Sequence, residues 1–386
     1  MNFLFVHDHF FVKKNEDVYS DKFPYYVWTR YLFHAESITV FSRSRRPQES
    51  RKTLSLSSGN KVNFEFAPNI SSLTSFLRTR GEQKKRLKKL ISMHDVIIAR
   101  LPSEYGLMAS KIAIELNKKL VIEVVGCGWD ALWNYGSLKA KIYAPILTWR
   151  IKRAVIRAHF VSYVSNNFLQ TRYPANEKAL TLSASNVELP EVNDAVLKKR
   201  LQRIKDMKGK IRFGLIGSMQ TRYKGVSDAI IALSKSKINN FEFHVLGDGN
   251  VDLYKSIAEM NGVKEEVFFD GVLPSGEAVF DWLDNVDVYL HPSYQEGVPR
   301  ALIEAMSRGC PAIASSTGGI PELLDSNDIF TAGDTEKFIS LLDSFAIDKD
   351  WLSQRAIRNF YKSKNYNKIT LDKRRFVFFS KVISSP

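Results

Sequence analysis

Short apolar segments recur along the whole chain, with room for one helix between most consecutive pairs. They are NFLFV, SITVFS, DVIIARL, KLVIEVVG and FVSYVS in the first half, then IRFGLIGS, FEFHVLGDG, EVFFDGV, VDVYLHPS and PAIASS in the second. Most are apolar throughout instead of alternating, which is typical of strands buried on both faces of a parallel sheet. Helix-length segments such as GVSDAIIALSKSKI lie between them. The alternation predicts βαβ units and doubly wound parallel sheets, an α/β fold.

A chain of 386 residues is longer than one hydrophobic core usually organises, so two domains are expected. About five strands fall in each half. The polar, basic segment EVNDAVLKKRLQRIKDMKGK separates the halves and is the expected position of the boundary. In two-domain α/β proteins of this kind, ligands bind at the carboxyl ends of the strands, so the loops there are the place to look for chemistry.

The net charge of +15 is unevenly distributed, with +15 over residues 1–200, −8 over 201–350 and +8 over 351–386. A basic first half favours an anionic partner, either nucleic acid, a phospholipid surface or a phosphorylated lipid substrate. Nucleic acid is disfavoured because no recognition module is present and the charge is not interleaved with aromatic residues. Two cysteines and no Cys/His cluster exclude a disulfide scaffold and suit a reducing compartment. Neither a signal peptide nor a membrane span is expected, so the chain is predicted to be cytoplasmic.

Three loops after strands of the second half carry candidate binding residues. In GSMQTRYKGVSDAI (217–230), Gly217 permits a tight turn, and Arg222 and Lys224 bring positive charge to a helix N-terminus, which favours an anion. An ordinary βα connection is the alternative. Gly247 and Gly249 in VLGDGN are compatible with a simple turn or with the floor of a site, and Asp248 is ascribed to the turn. Gly271, Val272 and Leu273 would offer an apolar lip and backbone groups to a nucleobase, unless that strand end merely turns.

The segment QEGVPRALIEAMSRGCP (295–311) places Glu296 before a predicted helix and Glu304 inside it. Pro299 suits the first helical position, and the amides of Gly297, Val298 and Arg300 would point out of the helix start. Arg300, Glu304 and Arg308 fall four apart, so a solvated ladder of ion pairs is one interpretation. Binding is the other, because the neighbouring strand ends carry glycine or charged residues on the same rim.

The second half, over roughly 211–325, resembles the retaining glycosyltransferases of family 4, which have the GT-B fold of two Rossmann-like domains facing across a cleft. The resemblance rests on Glu296 and Glu304 with seven residues between them and on YKG, GDG and GGIPEL in the family's order. It implies that residues 1–187 bind the acceptor, that 188–365 bind a nucleotide sugar, and that a tail from about 366 to 386 packs back on the first domain.

Carried over residue by residue, the resemblance implies the following roles. Glu296 would contact the hydroxyls of the donor sugar, and Glu304 would bind the ribose. Lys224, with Arg222, would neutralise the diphosphate. The backbone of Gly297, Val298 and Pro299 would lie near sugar and phosphate, with Gly217, Ser218, Gly247, Gly271, Val272 and Leu273 lining the rest of the donor site.

Two positions depart from the family pattern. Ser218 stands where the family often has arginine, and Gly126 or Cys127 stands where many members have histidine, which leaves Asp130 as the catalytic candidate of the first half. Asp8 and the donor phosphate are alternatives for the base. No cofactor or metal is expected, because cationic side chains would stabilise the leaving phosphate. The donor is expected to be a UDP-sugar more than a GDP-sugar, and the acceptor a lipid-linked or other glycan of bacterial surface polysaccharide. A sugar-nucleotide epimerase and a non-catalytic nucleotide-sugar-binding subunit are the alternatives.

The basic stretch LRTRGEQKKRLKKLISM (77–93) has Leu77, Leu87, Leu90 and Ile91 behind its lysines. It is compatible with a solvated helix face or with a binding site for anionic lipid. At such a lipid surface each Lys or Arg contributes about 1 kcal/mol to membrane binding. The second interpretation predicts peripheral association with the inner face of a membrane.

Overall fold

A computed structural model describes residues 1–45, 54–68, 73–133, 137–345 and 348–385, without the side chains of 73–78 and 345. The chain forms two compact units, one of residues 1–184 with 372–386 and one of residues 185–371. The boundaries expected from the sequence were 187/188 and 365/366. The basic segment after residue 190, which was expected to contain the boundary, forms a helix within the second unit.

The first unit is built on a parallel sheet in the order β5-β3-β1-β6-β7-β8-β9. Two short strands, β2 and β4, extend it by antiparallel pairing beyond the far end of β1. The strands are β1 (Asn2–Lys14), β2 (Asp17–Ser20), β3 (Ser37–Arg45), β4 (Ser55–Leu56), β5 (Val62–Ala67), β6 (Val96–Leu101), β7 (Lys119–Val124), β8 (Phe160–Tyr163) and β9 (Leu180–Ser183).

Helices cover this sheet, and their apolar sides make its core. Leu87 of α2, Ile112 of α3 and Ile151 of α5 belong to one buried cluster with strand residues such as Ile97. Phe379 of α14 packs on Phe3 and Tyr31. The helices are α1 (Tyr26–Leu32), α2 (Leu73–Met93), α3 (Glu104–Glu115), α4 (Gly128–Trp133), α5 (Leu138–Val155), α6 (Phe168–Arg172) and α14 (Lys368–Ser384), which begins in the second unit.

The second unit has a six-stranded parallel sheet in the order β12-β11-β10-β13-β14-β15. Numbered from its own first strand, this order is 3-2-1-4-5-6, that of the dinucleotide-binding folds. The strand order reverses between β10 and β13, so the loops after these two strands flank the switch point. The strands are β10 (Ile211–Ile216), β11 (Phe241–Leu246), β12 (Val267–Gly271), β13 (Val288–His291), β14 (Ala312–Ser315) and β15 (Ile329–Phe330).

The helices of the second unit bury apolar faces on both sides of this sheet, in two clusters. The α-helices are α7 (Asp194–Asp206), α8 (Val226–Lys235), α9 (Val251–Met260), α10 (Glu277–Asp284), α11 (Arg300–Ser307), α12 (Thr335–Phe345) and α13 (Lys349–Ser363). Short 3-10 helices span Arg222–Lys224, Lys264–Glu266, Ile320–Glu322, Ser326–Asp328 and Lys364–Tyr366.

Two expectations need correction. Five strands in each half were too few, since β5 and β9 join the first parallel sheet and β15 the second. Pro299 is the residue before the first turn of α11 instead of its first helical residue, with φ −73° and ψ 114°. In the part of the chain that the structure describes, no helix is long and apolar enough to cross a membrane.

Candidate active site

Lys224 and Glu296 meet in the second unit, although 72 residues separate them in sequence. Lys224 closes the loop after β10, and Glu296 lies in the loop after β13, so both flank the switch point of the sheet. Lys224 Nζ donates to Glu296 Oε1 at 2.6 Å, with the two side chains only 19% and 9% exposed. Because both side chains are shielded, water and salt screen the attraction between the two charges only weakly.

His291, at the end of β13, makes the second contact to Glu296. Its Nε2 donates to Glu296 Oε1 at 2.9 Å, and its Nδ1 lies 3.3 Å from the hydroxyl of Tyr289. That hydroxyl also accepts from the backbone N–H of Ile216 at 3.3 Å. Because a carboxylate only accepts, Nε2–H donates to Glu296, while Nδ1 and the Tyr289 hydroxyl share the second contact. The chain of hydrogen bonds fixes the orientation of Glu296.

The pKa of Glu296 follows from these neighbours. Burial alone would raise it, but His291 and Lys224 outweigh burial and lower the pKa to about 2. Glu296 is therefore a carboxylate at any physiological pH. Its Oε2 accepts no hydrogen bond from the described residues, which leaves this oxygen to a ligand hydroxyl.

Glu304 has the opposite environment. It lies on α11, 13% exposed, and the nearest cation is Arg300 Nη1 at 3.9 Å from its Oε1. Burial raises the pKa of Glu304, and Arg300 compensates only in part. No donor among the described residues hydrogen-bonds to this carboxylate. A shielded carboxylate without donors is destabilised, and ligand hydroxyl groups would relieve it.

The solvated ladder of Arg300, Glu304 and Arg308 is not what the structure contains. Arg308 turns to Asp284 of α10, donating from Nε to Oδ1 at 2.7 Å, and its side chain is 16% exposed. Glu304 is thus left with Arg300 alone. That interpretation of the segment was wrong because the neighbouring helix α10, which the spacing cannot show, supplies a better partner for Arg308.

Backbone packing around the switch point requires glycine at two positions. Gly225 has φ +69°, and a Cβ there would lie 2.1 Å from the carbonyl oxygen of Pro292. Gly318, of the TGG turn after β14, has φ +59°, and its Cβ would lie 2.0 Å from the carbonyl oxygen of Glu296. Each glycine therefore lets a neighbouring loop approach the loop that carries Glu296.

The other predicted donor-site residues lie on the same edge of the sheet. Gly217 N donates to Leu246 O at 2.9 Å, Gly247 N donates to Gly271 O at 2.6 Å, and Ser218 Oγ lies 3.4 Å from Asp248 O. These bonds join the ends of β10, β11 and β12. Beyond them Val272 is 70% exposed and Leu273 half-buried, an apolar lip at the edge strand.

The start of α11 presents backbone donors beside Glu296. The N–H groups of Gly297 and Val298 donate to no acceptor in the described part of the chain, while Gly297 O accepts from Gly319 N at 2.7 Å. Free amides at a helix start attract anions. Arg222, in contrast, is exposed on the 3-10 turn that ends at Lys224, and Lys224 is the residue that contacts Glu296.

Two carboxylates of the first unit were candidate bases. Asp130, in the first turn of α4, has its Oδ1 3.5 Å from Arg172 Nη2. Both oxygens of Asp8 accept backbone N–H groups at the start of α3, from Glu104 at 2.6 Å and Tyr105 at 3.1 Å. Burial raises the pKa of Asp8. Capping a helix is thus the visible role of Asp8, and the side chain of Asp130 is 24% exposed.

Sequence reasoning did not single out the histidines. His291 lies in the quoted segment VDVYLHPS, and its position at the carboxyl end of that strand was the available signal. In the first unit, His7 and His9 line a cavity of about 370 Å³ with Asp21 and Arg43. His9 Nε2 lies 2.8 Å from Ser20 Oγ and 3.2 Å from Asp21 Oδ1, and burial lowers the pKa of His9 to about 4.

Comparison with known proteins identifies the family. The chain is 30% identical over 369 residues, 95% of its own length and 92% of the relative's, to protein CapJ of Staphylococcus aureus. Residues 210–346, which hold Lys224, Glu296 and Glu304, match the family model for glycosyl transferases group 1. The chain belongs to the group 1 glycosyltransferases.

Two other similarities to this group 1 glycosyltransferase cover less of the chain or have lower identity. It is 30% identical over 157 residues to a lipopolysaccharide 1,6-galactosyltransferase of Escherichia coli K12, 38% of this chain and 43% of that one. The structure of Anabaena HepE in complex with UDP aligns over 99% of this chain and 100% of the other, with a TM-score of 0.66 and 15% identity. That likeness shows the fold and confirms the predicted class, an α/β GT-B protein of two Rossmann-like parallel-sheet domains.

Proposed function

We propose that this group 1 glycosyltransferase is a retaining, metal-independent hexosyltransferase of family 4. Its donor is a nucleoside-diphosphate sugar, UDP more than GDP, and its acceptor a lipid-linked or other glycan of surface polysaccharide biosynthesis. One observation carries the proposal: a cation, a permanently ionised carboxylate and a donor-poor carboxylate lie along one edge of a Rossmann-like sheet, around its switch point. That edge is where such sheets bind nucleotides.

Lys224 would hold the donor diphosphate. An ammonium group has three N–H donors, and only one is needed for the contact to Glu296 Oε1. The other two are available to phosphate oxygens, together with the backbone N–H groups of Gly297 and Val298. As the bond from the sugar to the diphosphate breaks, negative charge grows on the phosphate, and these fixed donors stabilise it. Arg222, from the same turn, would add long-range attraction for the diphosphate.

The two carboxylates would hold different parts of the donor. Glu296 Oε2 would accept a hydrogen bond from a sugar hydroxyl, while Oε1 keeps its hydrogen bonds from Lys224 and His291. Glu304 would accept hydroxyls of the ribose, since it has no donor of its own within the described chain. Val272 and Leu273 would pack on the base. The two glutamates would therefore bind two different parts of one donor molecule and would not act as an acid–base pair.

Retention follows from attack of the acceptor hydroxyl on the face that the diphosphate leaves. The leaving phosphate oxygen would then take the acceptor proton, so no carboxylate at glycosidase spacing is required. Asp130 would serve on the acceptor side, in the first unit. Within the described residues no three His, Cys, Asp or Glu side chains are grouped as a metal site would need; metal independence stays a prediction.

The activities of the relatives support the choice of substrates. One relative is a lipopolysaccharide 1,6-galactosyltransferase, and others are putative colanic acid biosynthesis glycosyltransferases of Salmonella typhimurium and Escherichia coli. HepE has been solved with UDP and with UDP-glucose. A lipid-linked acceptor would place the enzyme at the inner face of the membrane as a cytoplasmic, peripheral protein, which the basic first half and C-terminus favour.

A panel of nucleotides tests the donor. Melting temperatures would be measured with UDP, GDP, ADP and matching nucleotide sugars, each with and without EDTA, because a tight ligand raises the melting temperature by mass action. The proposal expects UDP and UDP-sugars to give the largest increases and EDTA to change none of them. The proposal is contradicted if no nucleotide raises the melting temperature, or if EDTA abolishes the increase.

The fate of the donor distinguishes the alternative functions. Incubated alone with the best UDP-sugar, a transferase gives slow hydrolysis and an epimerase gives an epimer. With a glycan-lipid extract as acceptor, a transferase gives a product whose anomeric proton coupling in NMR matches that of the donor. Binding without turnover on any acceptor would favour a non-catalytic subunit, and an inverted anomeric configuration would exclude retention.

A further inference from the structure

Helix α5 of the first unit exposes an apolar stripe along its outer side. Leu138, Ile142, Ile146 and Trp149 recur at intervals of three or four residues and are 74%, 63%, 49% and 58% exposed. The opposite side of the helix is buried in the core, through Ala144, Leu147, Ile151 and Val155. The helix is therefore apolar on both sides. Burial in the core explains one side, while the stripe contacts water.

Cationic side chains border the stripe on both edges. Lys139 and Arg150 lie along one edge and Lys141 and Lys152 along the other, as the helical period requires. The helix contains no acidic residue. Among the described residues, no acidic side chain pairs with Lys141, Lys152, Arg153 or Arg157. The surface thus combines exposed apolar area with uncompensated positive charge.

Two tryptophans, Trp149 in the stripe and Trp133 outside it, contact basic side chains. Arg153 is 5.4 Å from the ring centroid of Trp149, and Lys141 is 5.6 Å from that of Trp133, which is itself 44% exposed. Tryptophan and basic side chains together are typical of helices that lie in the boundary between lipid headgroups and acyl chains.

A cationic groove adjoins the stripe. A cavity of about 520 Å³ between α2, α3 and α5 is lined by Trp149 and by Arg80, Lys84, Lys111, Arg150, Arg153 and Arg157. Its two carboxylates are engaged, Glu104 by Arg150 at 2.8 Å and Glu115 by Lys111 at 3.9 Å. The groove therefore has excess positive charge beside Trp149. Such a groove can bind the phosphate of a lipid headgroup.

We propose that the α5 stripe enters the interface of an anionic phospholipid bilayer and that the α2–α3–α5 groove takes lipid phosphates. This deepens, and rests on, the membrane association in the proposed function. In the basic stretch 77–93, Leu87 and Ile91 are fully buried in the core and Leu77 lies outside the described side chains, so the lysines are its contribution to the proposal. Lys84 joins the groove, and Lys85, Lys88 and Lys89 are exposed for long-range attraction.

Vesicle flotation tests the proposal with the full chain. Wild type should float with phosphatidylglycerol–phosphatidylcholine vesicles and much less with phosphatidylcholine alone. The double variant Leu138→Asp/Ile142→Asp should lose at least about tenfold in partition coefficient, whereas Met260→Asp, at a 76% exposed methionine of the second unit, should not. Arg153→Gln/Arg157→Gln should weaken binding to the anionic vesicles only. Wild type that fails to float, or a stripe variant that floats as wild type does, overturns the proposal.

Tryptophan quenching and size give independent checks. Lipids with brominated acyl chains should quench wild-type fluorescence, and Trp149→Phe should remove much of that quenching; no quenching despite flotation would overturn insertion. If wild type is a dimer in solution that the stripe variant dissociates, the stripe is a self-interface and the proposal is wrong. UDP binding, measured on every variant, keeps the tests separate. If a variant no longer floats but still binds UDP, the substitution has affected the membrane surface alone. If wild type does not bind UDP, the proposed function is wrong, whatever the flotation result.

Discussion

Lys224 Nζ lies 2.6 Å from Glu296 Oε1, and the two residues come from loops after adjacent parallel strands, β10 and β13. In most doubly wound sheets neighbouring strands send their following helices to the same face, but at this pair the connections diverge. The gap admits side chains from both loops. The pair is therefore a consequence of strand order, and it places a cation and an anion where the proposed diphosphate-sugar donor would need them.

Replacing Glu296 by glutamine should reduce transfer strongly. The amide keeps the shape of the side chain but loses the negative charge that Lys224 and His291 hold in place. We expect kcat to fall by about a hundredfold or more, in the range found for preorganised polar groups, with a smaller change in UDP affinity. Initial rates at saturating donor measure this. Glu277→Gln, at an exposed glutamate of α10, is the matched control. Rates within a factor of two of wild type would contradict the assigned role.

Glu296 should also make stability depend on pH. Its pKa is about 2 in the folded protein and about 4.3 in an unfolded chain, so the unfolded state binds the proton first as pH falls. Its contribution, of the order of 3 kcal/mol, is present above pH 4.5 and is lost as pH falls towards 2. In urea unfolding, the Glu296→Gln variant should have a lower free energy of unfolding than wild type at pH 7. The difference between the two should narrow below pH 4.5. A constant gap would mean that the charge contributes nothing.

Glu304→Gln should separate stability from binding. Because its pKa is raised, ionised Glu304 costs stability at neutral pH, and that cost disappears below the unfolded value. The variant should therefore melt about 2 °C higher than wild type at pH 7 while the increase produced by UDP becomes smaller. Differential scanning fluorimetry with and without UDP measures both effects. A lower melting temperature in the absence of ligand would show that Glu304 stabilises the fold.

Two glycines with nearly the same backbone angles form a controlled pair. Gly225 has φ +69° and Gly262 has φ +71°, but a Cβ at Gly225 would meet Pro292 O whereas nothing lies within 4 Å of one at Gly262. Gly262→Ala should lose about 1 kcal/mol of unfolding free energy from backbone strain alone. Gly225→Ala should lose more, and should also reduce transfer because the Lys224 loop must move. Equal losses in the two variants would show that the close approach is unimportant.

Much of the second unit could be predicted because its strands are short, apolar and regularly spaced. IRFGLIGS and VDVYLHPS are buried on both faces, so their sequence pattern is unambiguous. The strands missed have weaker patterns. Glu65 interrupts β5, and β9 has four residues with one buried. The antiparallel extension of β1 by β2 and β4 depends on long-range pairing that no local pattern encodes.

The candidate site divides in the same way. Glu296, Glu304 and Lys224 could be found from motif spacing, because the loops that carry them follow strands whose order is standard. His291 could not be chosen over other strand residues, since its role depends on a hydrogen bond to Glu296 and another to Tyr289. Arg308 was misassigned because its partner, Asp284, belongs to another helix. Pairwise contacts across elements are what sequence spacing leaves open.

Titration calorimetry of UDP with wild type and Lys224→Met tests the central claim most directly. The variant keeps the length of the side chain and removes the charge, so it should bind UDP at least about tenfold more weakly, as expected for the loss of a charged hydrogen bond. Lys235→Met, at the exposed far end of α8, should bind as wild type does. If Lys224→Met binds UDP with wild-type affinity, or if wild type binds no nucleoside diphosphate, the site around Lys224 and Glu296 is not the donor site.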